Sequence, residues 1–258
     1  VFNDNLVSAG RIHNAILQPQ AQPCTRADTY VWLDGEFYNQ DELCASLGRS
    51  ELSAPEILLA LFEQSSDFSF LGDIDGLYSA VLYEADRQQV HLISDRYGLR
   101  YLYWTLQEGA LVWSSELKAF TALSGFKADI NPVAVRQYID IGYMLEDTTW
   151  FEAAELLPSG SVLSFDIGGG YHSLYRYWWW DQIPEPLNQS GEDVVAEEMG
   201  ELFKSAIRHR CRTHEDVGLT LSGGLDSRSI LAAMPERDAP IKALTFGEPD
   251  CDDVRFAT

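Results

Sequence analysis

Six consecutive residues carry the densest chemistry in the sequence: Ser222, Gly223, Gly224, Leu225, Asp226 and Ser227. They stand between a short apolar run, residues 217–221, and a helical pattern over residues 228–234. Glycines let backbone N–H groups come close to anionic oxygens, and a helix N-terminus adds positive potential. The Ser222 and Ser227 hydroxyls can donate as well. Asp226 is the odd member, because a bare carboxylate repels phosphate. A hard cation between the two removes the conflict, so the loop reads as a cradle for pyrophosphate with Mg²⁺ held by Asp226. No lysine follows the glycines, and G-x-G-x-x-G occurs nowhere, which sets aside two commoner phosphate loops. The plain alternative is a strand-to-helix turn of small residues with a capping Ser or Asp.

The elements around this loop follow from periodicity. Residues 241–246 form a second apolar run after the helix, and strand–loop–helix–strand order predicts a parallel α/β domain. Upstream, a helix is expected after Ser190 and Asp193, with Val194, Val195, Met199, Leu202, Phe203, Ala206 and Ile207 on one apolar face. It ends in Arg208, His209, Arg210 and Arg212, which suit the negative end of a helix dipole. Residues 178–191 hold three tryptophans, two prolines and a polar tail, and read as interdomain packing followed by a linker. Before them, residues 77–83, 90–93, 101–105 and 110–113 read as closely spaced antiparallel strands. Ser53, Pro55 and Glu56 form a capping box for a helix with Ile57, Leu58, Leu61 and Phe62 inward. Asn131-Pro132 opens another helix, with Val135, Tyr138 and Ile139 expected inward.

Composition narrows the partners. The 258 residues include 40 Asp and Glu against 18 Lys and Arg, a formal charge of −22. That balance argues against nucleic acid and against anionic membrane surfaces, both of which need clustered cations. No apolar run reaches the ~20 residues of a membrane span. The four cysteines are far apart with no C-x-x-C, so neither a disulfide scaffold nor a zinc site is indicated and the cytoplasm is the expected compartment. The chain begins at Val1 and ends on a short helical pattern from Asp252, which reads as a fragment that is expected to be catalytically silent alone.

Residues 220–227 resemble the PP-loop of the ATP pyrophosphatases. Residues 33–39, 94–103, 115–119 and 157–160 resemble, in order, the N-G-E-I-Y-N, R-D-x-x-G-x-x-P-L-Y, S-E-x-K-A and L-P-P-G segments of class II glutamine amidotransferases. That order is found in glutamine-hydrolysing asparagine synthetases. The resemblance implies an Ntn-type αββα sandwich over residues 1–180, lacking its N-terminus, followed by the start of a parallel Rossmann-like PP-loop domain over residues 190–258, truncated at its C-terminus. It implies an ATP-dependent ligase that adenylates a carboxylate and takes nitrogen from glutamine or ammonia. Ser222, Gly223, Gly224 and Ser227 would cradle pyrophosphate, Phe246 and Gly247 would border adenosine, and Asp226 would hold Mg²⁺. Small-molecule substrates, an aspartate-like acceptor and a homodimer come with the family.

The same resemblance places Arg11 on a glutamine carboxylate and Asp34, Gly35 and Glu36 in the glutamine site. Two positions depart from the pattern. Asp34 stands where an asparagine donates to the oxyanion, and an ionised carboxylate cannot donate. Ala54 replaces an aspartate that holds the glutamine amine. A β-lactam-synthetase-like or lasso-cyclase-like ligase with a silent glutaminase domain therefore stays open, as does a non-catalytic nucleotide-binding homologue.

Overall fold

Side chains of a strand alternate between faces, and in the first part of the chain both faces are apolar. Val31 and Leu33 point one way and Trp32 the other; Leu82 and Val81 do the same. Such strands need cover on both sides, and they receive it. The computed structural model describes residues 1–12, 20–184, 191–211, 217–236, 240–248 and 250–257. It divides into two units, Val1–Pro184 and Glu185–Thr258.

The elements of the first unit run β1 (Phe2–Asn3), β2 (Ser8–Ala9), β3 (Cys24–Arg26), β4 (Thr29–Phe37), α1 (Gln40–Ser46), α2 (Ala54–Gln64), β5 (Gly76–Glu84) and β6 (Gln89–Ser94). They continue with β7 (Tyr103–Gln107), β8 (Ala110–Ser114), α3 (Pro132–Ile141), β9 (Glu155–Leu156), β10 (Ser161–Asp166) and β11 (Tyr171–Arg176). Six strands form one antiparallel sheet in the order β11-β10-β6-β5-β4-β3, and β8-β7-β9 form a second. Helices α1 and α2 cover one face of the large sheet through Leu43, Ile57, Leu58 and Phe62. Leu102 and Trp104, with Leu111 and Trp113 beside them, cover the other. Beyond the small sheet, a 3-10 turn at Leu117–Ala122 buries Phe120 and adjoins β8. This is αββα layering with a thin fourth layer.

Local signals set the helix starts. The Ser53 N–H donates to Glu56 Oε2 at 2.8 Å, closing the capping box of α2. The Val133 N–H donates to Asn131 Oδ1 at 2.9 Å, and Gly142 stops α3 in the left-handed region. The inward face of α3 differs from expectation. Ala134 is buried, whereas Tyr138 and Ile139 are exposed. A small residue lets the helix lie close, and Tyr138 packs laterally on Trp150, with ring centroids 5.2 Å apart.

One buried carboxylate ties the sheet to its loops. Asp95, directly after β6, is 0 % exposed. It accepts backbone N–H groups from Tyr78 at 3.2 Å, Tyr97 at 2.8 Å, Gly98 at 2.9 Å, Leu99 at 3.2 Å and Arg100 at 3.4 Å. Its carbonyl accepts the Gly160 N–H at 2.8 Å. Burial pushes the Asp95 carboxyl up, and the N–H donors of Tyr97, Tyr78, Arg100 and Gly98 pull against that rise. The R-D-x-x-G and L-P-x-G segments are therefore one structural device. Ser159 lies against Gly98, and the Tyr177 hydroxyl, close to the same strand end, donates to the Ser94 carbonyl at 2.8 Å.

The second unit contains α4 (Glu192–Cys211), β12 (Gly218–Thr220), α5 (Leu225–Ala233), β13 (Lys242–Leu244) and α6 (Asp252–Ala257). Strands β12 and β13 pair in parallel, Leu219 opposite Ala243. The apolar face expected to bury α4 is largely bare: Val194, Val195, Met199, Leu202 and Phe203 are exposed and Ile207 is buried. A 20-residue helix is ~30 Å long, and two three-residue strands cannot cover it. Arg210 donates to the Ala206 carbonyl at 3.0 Å, the helix-end role expected of the basic cluster. Ser190 and Arg212 lie outside the described residues, as do Pro186, Asn188 and Gln189 of the linker reading. The tryptophans of residues 178–180 pack within the first unit, with Trp178 against Tyr97 and Trp180, and Arg176 over Trp179 at 4.2 Å.

Replacing Asp95 strands buried N–H groups, a loss of ~1–3 kcal/mol for each that water cannot reach. Asp95→Ala and the isosteric Asp95→Asn are both expected to lose at least ~3 kcal/mol of unfolding free energy in urea titrations. A loss under ~1 kcal/mol for Asp95→Asn contradicts the assignment.

Candidate functional site

Two separate places bring sequence-selected residues together. The first is a cleft of about 720 Å³ in the larger unit, lined by residues 8–12, by Trp32, Leu33 and Asp34 of β4, by Ser79 of β5 and by the wall from Leu111 to Glu116. Arg11 and Asp34 both face it. Burial lowers the Arg11 guanidinium pKa, and the Asp34 charge raises it again. The S-E-x-K-A segment forms part of the wall through Ser115, Glu116 and Ala119.

Asp34 has a second cation. Arg100 Nη1 lies 3.7 Å from Asp34 Oδ2, both side chains being well exposed. Arg100 arrives there because Asp95 holds its N–H. The sequence reading did not single out Arg100 or Asp95 as site residues. Their contacts join β4, β6 and the following loop, and no local spacing reports them. Gly35 and Glu36 are not among the cleft-lining residues. Gly35 has a backbone task. Its φ is +126°, and a Cβ there would overlap the Leu77 carbonyl and lie 2.6 Å from Tyr78 Cα. It permits the close approach of β4 to β5 where those strands end. Ala54 is buried in the helix-side core as the first residue of α2 and also stands apart from the cleft-lining set.

The edge of β4 is clamped by Gln22. Its side-chain amide donates to the Leu33 carbonyl at 3.0 Å and accepts the Leu33 N–H at 2.8 Å, mimicking a neighbouring strand. This fixes the residue just before Asp34.

The second place is the loop after β12. Parallel pairing of Thr220 with Leu244 brings residues 221–224 and 245–247 to the same carboxyl end of the sheet, where open α/β sheets bind ligands. Thr245 Oγ1 donates to the Leu221 carbonyl at 2.8 Å and joins the two segments. The loop is internally knotted. Ser222 N–H donates to Ser227 Oγ at 3.0 Å, Gly224 N–H donates to Ser222 Oγ at 3.2 Å, and the two hydroxyls are 3.0 Å apart. Gly223 N–H donates to Asp253 Oδ1 of α6 at 2.9 Å. Asp226 is exposed in the first turn of α5. Phe246 is exposed, and Gly247 lies against Cys251 Sγ.

A lone exposed carboxylate is an oxygen donor suited to Mg²⁺ arriving with phosphate, not to a metal held by protein alone. Among the described residues no three His, Cys, Asp or Glu side chains converge as a metal site. The donor set therefore fits Mg²⁺ carried in by a polyphosphate. Among the same residues no helix is long and apolar enough to cross a membrane.

The fold defines a class: an amidotransferase-type sandwich followed in the chain by a strand–loop–helix on a parallel strand pair. The glutamine amidotransferase domain family matches residues 1–178, and the asparagine synthase family matches residues 198–258. The chain thus belongs to the glutamine-hydrolysing asparagine synthetase family. A putative asparagine synthetase (glutamine-hydrolyzing) 2 of Methanocaldococcus jannaschii is 27% identical over 225 residues, covering 86% of this chain and 43% of that protein. Amidase chry2 of Gibberella zeae is 29% identical over 209 residues, covering 77% of this chain and 29% of that one. The asparagine synthetase (glutamine-hydrolyzing) of Cricetulus griseus is 28% identical over 250 residues, covering 88% and 41%. The chain spans less than half the length of these relatives.

The geometry ranks two changes. Gly35→Ala forces a Cβ into β5 backbone and is expected to lose at least ~3 kcal/mol in denaturant titrations. Arg100→Met removes only an exposed ion pair and is expected to lose less than ~1 kcal/mol. The reverse order contradicts this reading of β4.

Proposed function

We propose that the protein carrying this chain is an ATP-dependent amide-forming ligase of asparagine-synthetase type. A substrate carboxylate oxygen attacks the α-phosphorus of ATP, the bond to pyrophosphate breaks, and an acyl-adenylate forms. Ammonia or another amine then attacks the acyl carbon, and AMP leaves with the bonding electrons. The acceptor is aspartate-like, and the nitrogen comes from glutamine or ammonia. Residues 1–180 would act as the amidotransferase domain and residues 190–258 as the start of the ATP-binding one.

The observation that carries this reading is the loop of residues 222–227 at the carboxyl end of a parallel strand pair. Ser222, Gly223, Gly224 and Ser227 would receive pyrophosphate oxygens. Phe246 and Gly247 would border the adenosine. Asp226 would hold Mg²⁺, which neutralises phosphate charge when bound. In a chain of net charge −22, backbone N–H groups and that cation must supply what lysines do elsewhere. Arg11 would hold a substrate carboxylate in the cleft.

Asp34 favours a second reading of the cleft. Arg100 lies 3.7 Å from it, and a carboxylate accepts hydrogen bonds where glutamine hydrolysis needs a donor. In that reading the amine comes from free ammonia or from the substrate itself, as in β-lactam synthetases or lasso cyclases.

The intact protein is expected to release pyrophosphate from Mg·ATP when offered its carboxylate acceptor, and Asp226→Asn to slow this by at least ~100-fold. A variant as active as the parent removes the assignment of Asp226. No pyrophosphate release with any carboxylate acceptor, aspartate included, removes the ligase reading.

A further inference from the structure

Each of the three successive N–H groups of the phosphate loop already has an acceptor from within the chain. For Ser222 and Gly224 that acceptor is a serine hydroxyl of the same loop. A hydroxyl can rotate and accept or donate as needed, so an arriving anion displaces it with little loss. Gly223 is different. Its N–H donates at 2.9 Å to Asp253 Oδ1, a carboxylate from α6, thirty residues later in sequence. One N–H cannot serve Asp253 and a phosphate oxygen fully at once, and the two anions repel at hydrogen-bond range.

The packing around this contact holds α6 on the loop. A Cβ on Gly223 would lie 3.1 Å from the Asp252 carbonyl and 3.2 Å from the Phe256 ring. A side chain at Gly223 would therefore press on α6, apart from any need to admit phosphate. Arg228 braces the same contact, donating to the Gly224 carbonyl at 3.1 Å while its guanidinium sits 5.9 Å from the centre of the Phe256 ring.

We propose that Asp253 is an internal anion competing with the nucleotide for the Gly223 N–H, and that α6 is the latch carrying it. Nucleotide polyphosphate enters only as the Asp253–Gly223 bond opens. The latch rests on the reading of residues 222–227 as a phosphate loop. It adds that the resting loop is self-occupied and that α6 moves when the loop is used. Because a rigid contact would be lost whenever ligand binds, the carboxylate acts against affinity.

The test is calorimetric titration of inorganic pyrophosphate with Mg²⁺ into the intact protein, its Asp253→Asn and Asp253→Ala variants, and Asp226→Asn. Asp253→Asn keeps an acceptor for Gly223 but drops the charge, so it separates electrostatic competition from loss of loop support. The expected result is pyrophosphate binding at least fivefold tighter in both Asp253 variants than in the parent. Equal or weaker binding in both, with the parent still binding, overturns the latch and leaves the phosphate-loop reading standing. Tighter binding in Asp253→Ala alone also overturns charge competition. Absence of pyrophosphate binding in every protein overturns the loop reading and the latch with it.

Discussion

The larger unit depends on one buried charge. Asp95 holds five backbone N–H groups from two places, the start of β5 and the turn after β6. A carboxylate out of water is costly unless its lone pairs are filled, and here they are filled by main chain alone. Everything nearby follows. The turn of residues 95–100 is gathered on one carboxylate, Gly98 faces Ser159, and Arg100 reaches Asp34. The Arg100 charge beside Asp34 is thus placed by a residue that does not line the cleft.

The loop of residues 222–227 uses the same chemistry in a looser form. Asp253 also accepts a backbone N–H, among the described residues a single one, and it stands exposed on a short helix. One carboxylate with many donors and no solvent is a permanent fixture. One carboxylate with one donor and free access to water can be exchanged for another anion. That contrast sets a buried carboxylate that shapes backbone beside an exposed one that the proposed latch would use. The same excess of acid that argues against nucleic acid makes internal carboxylates the natural partners of loop N–H groups.

Much of this was legible in the sequence where the signal is local. The capping box at Ser53, the Asn131-Pro132 helix start and the loop at residues 222–227 depend on neighbours within a few positions. The layered sandwich followed from the ordered motifs. What failed was long-range or depended on cover. The phase of α3 turned on the small Ala134, which a count of large apolar residues overlooks. The bare face of α4 reflects a two-strand sheet too narrow to meet it. The close approach of two strands at Gly35 and the burial of Ala54 in the helix-side core likewise depend on segments far apart in sequence. The roles of Asp95, Arg100 and Asp253 rest on contacts between segments apart in sequence, where spacing carries no signal.

Asp95 organises the turn that precedes β7. Amide hydrogen exchange, read residue by residue by NMR, tests it directly. Tyr97, Gly98, Leu99 and Arg100 lie in a surface turn, where amides ordinarily exchange quickly. If Asp95 holds them, their exchange is slow and matches that of Tyr78 inside the sheet, all opening in one event. Fast exchange of the four turn amides beside a protected Tyr78 would contradict it.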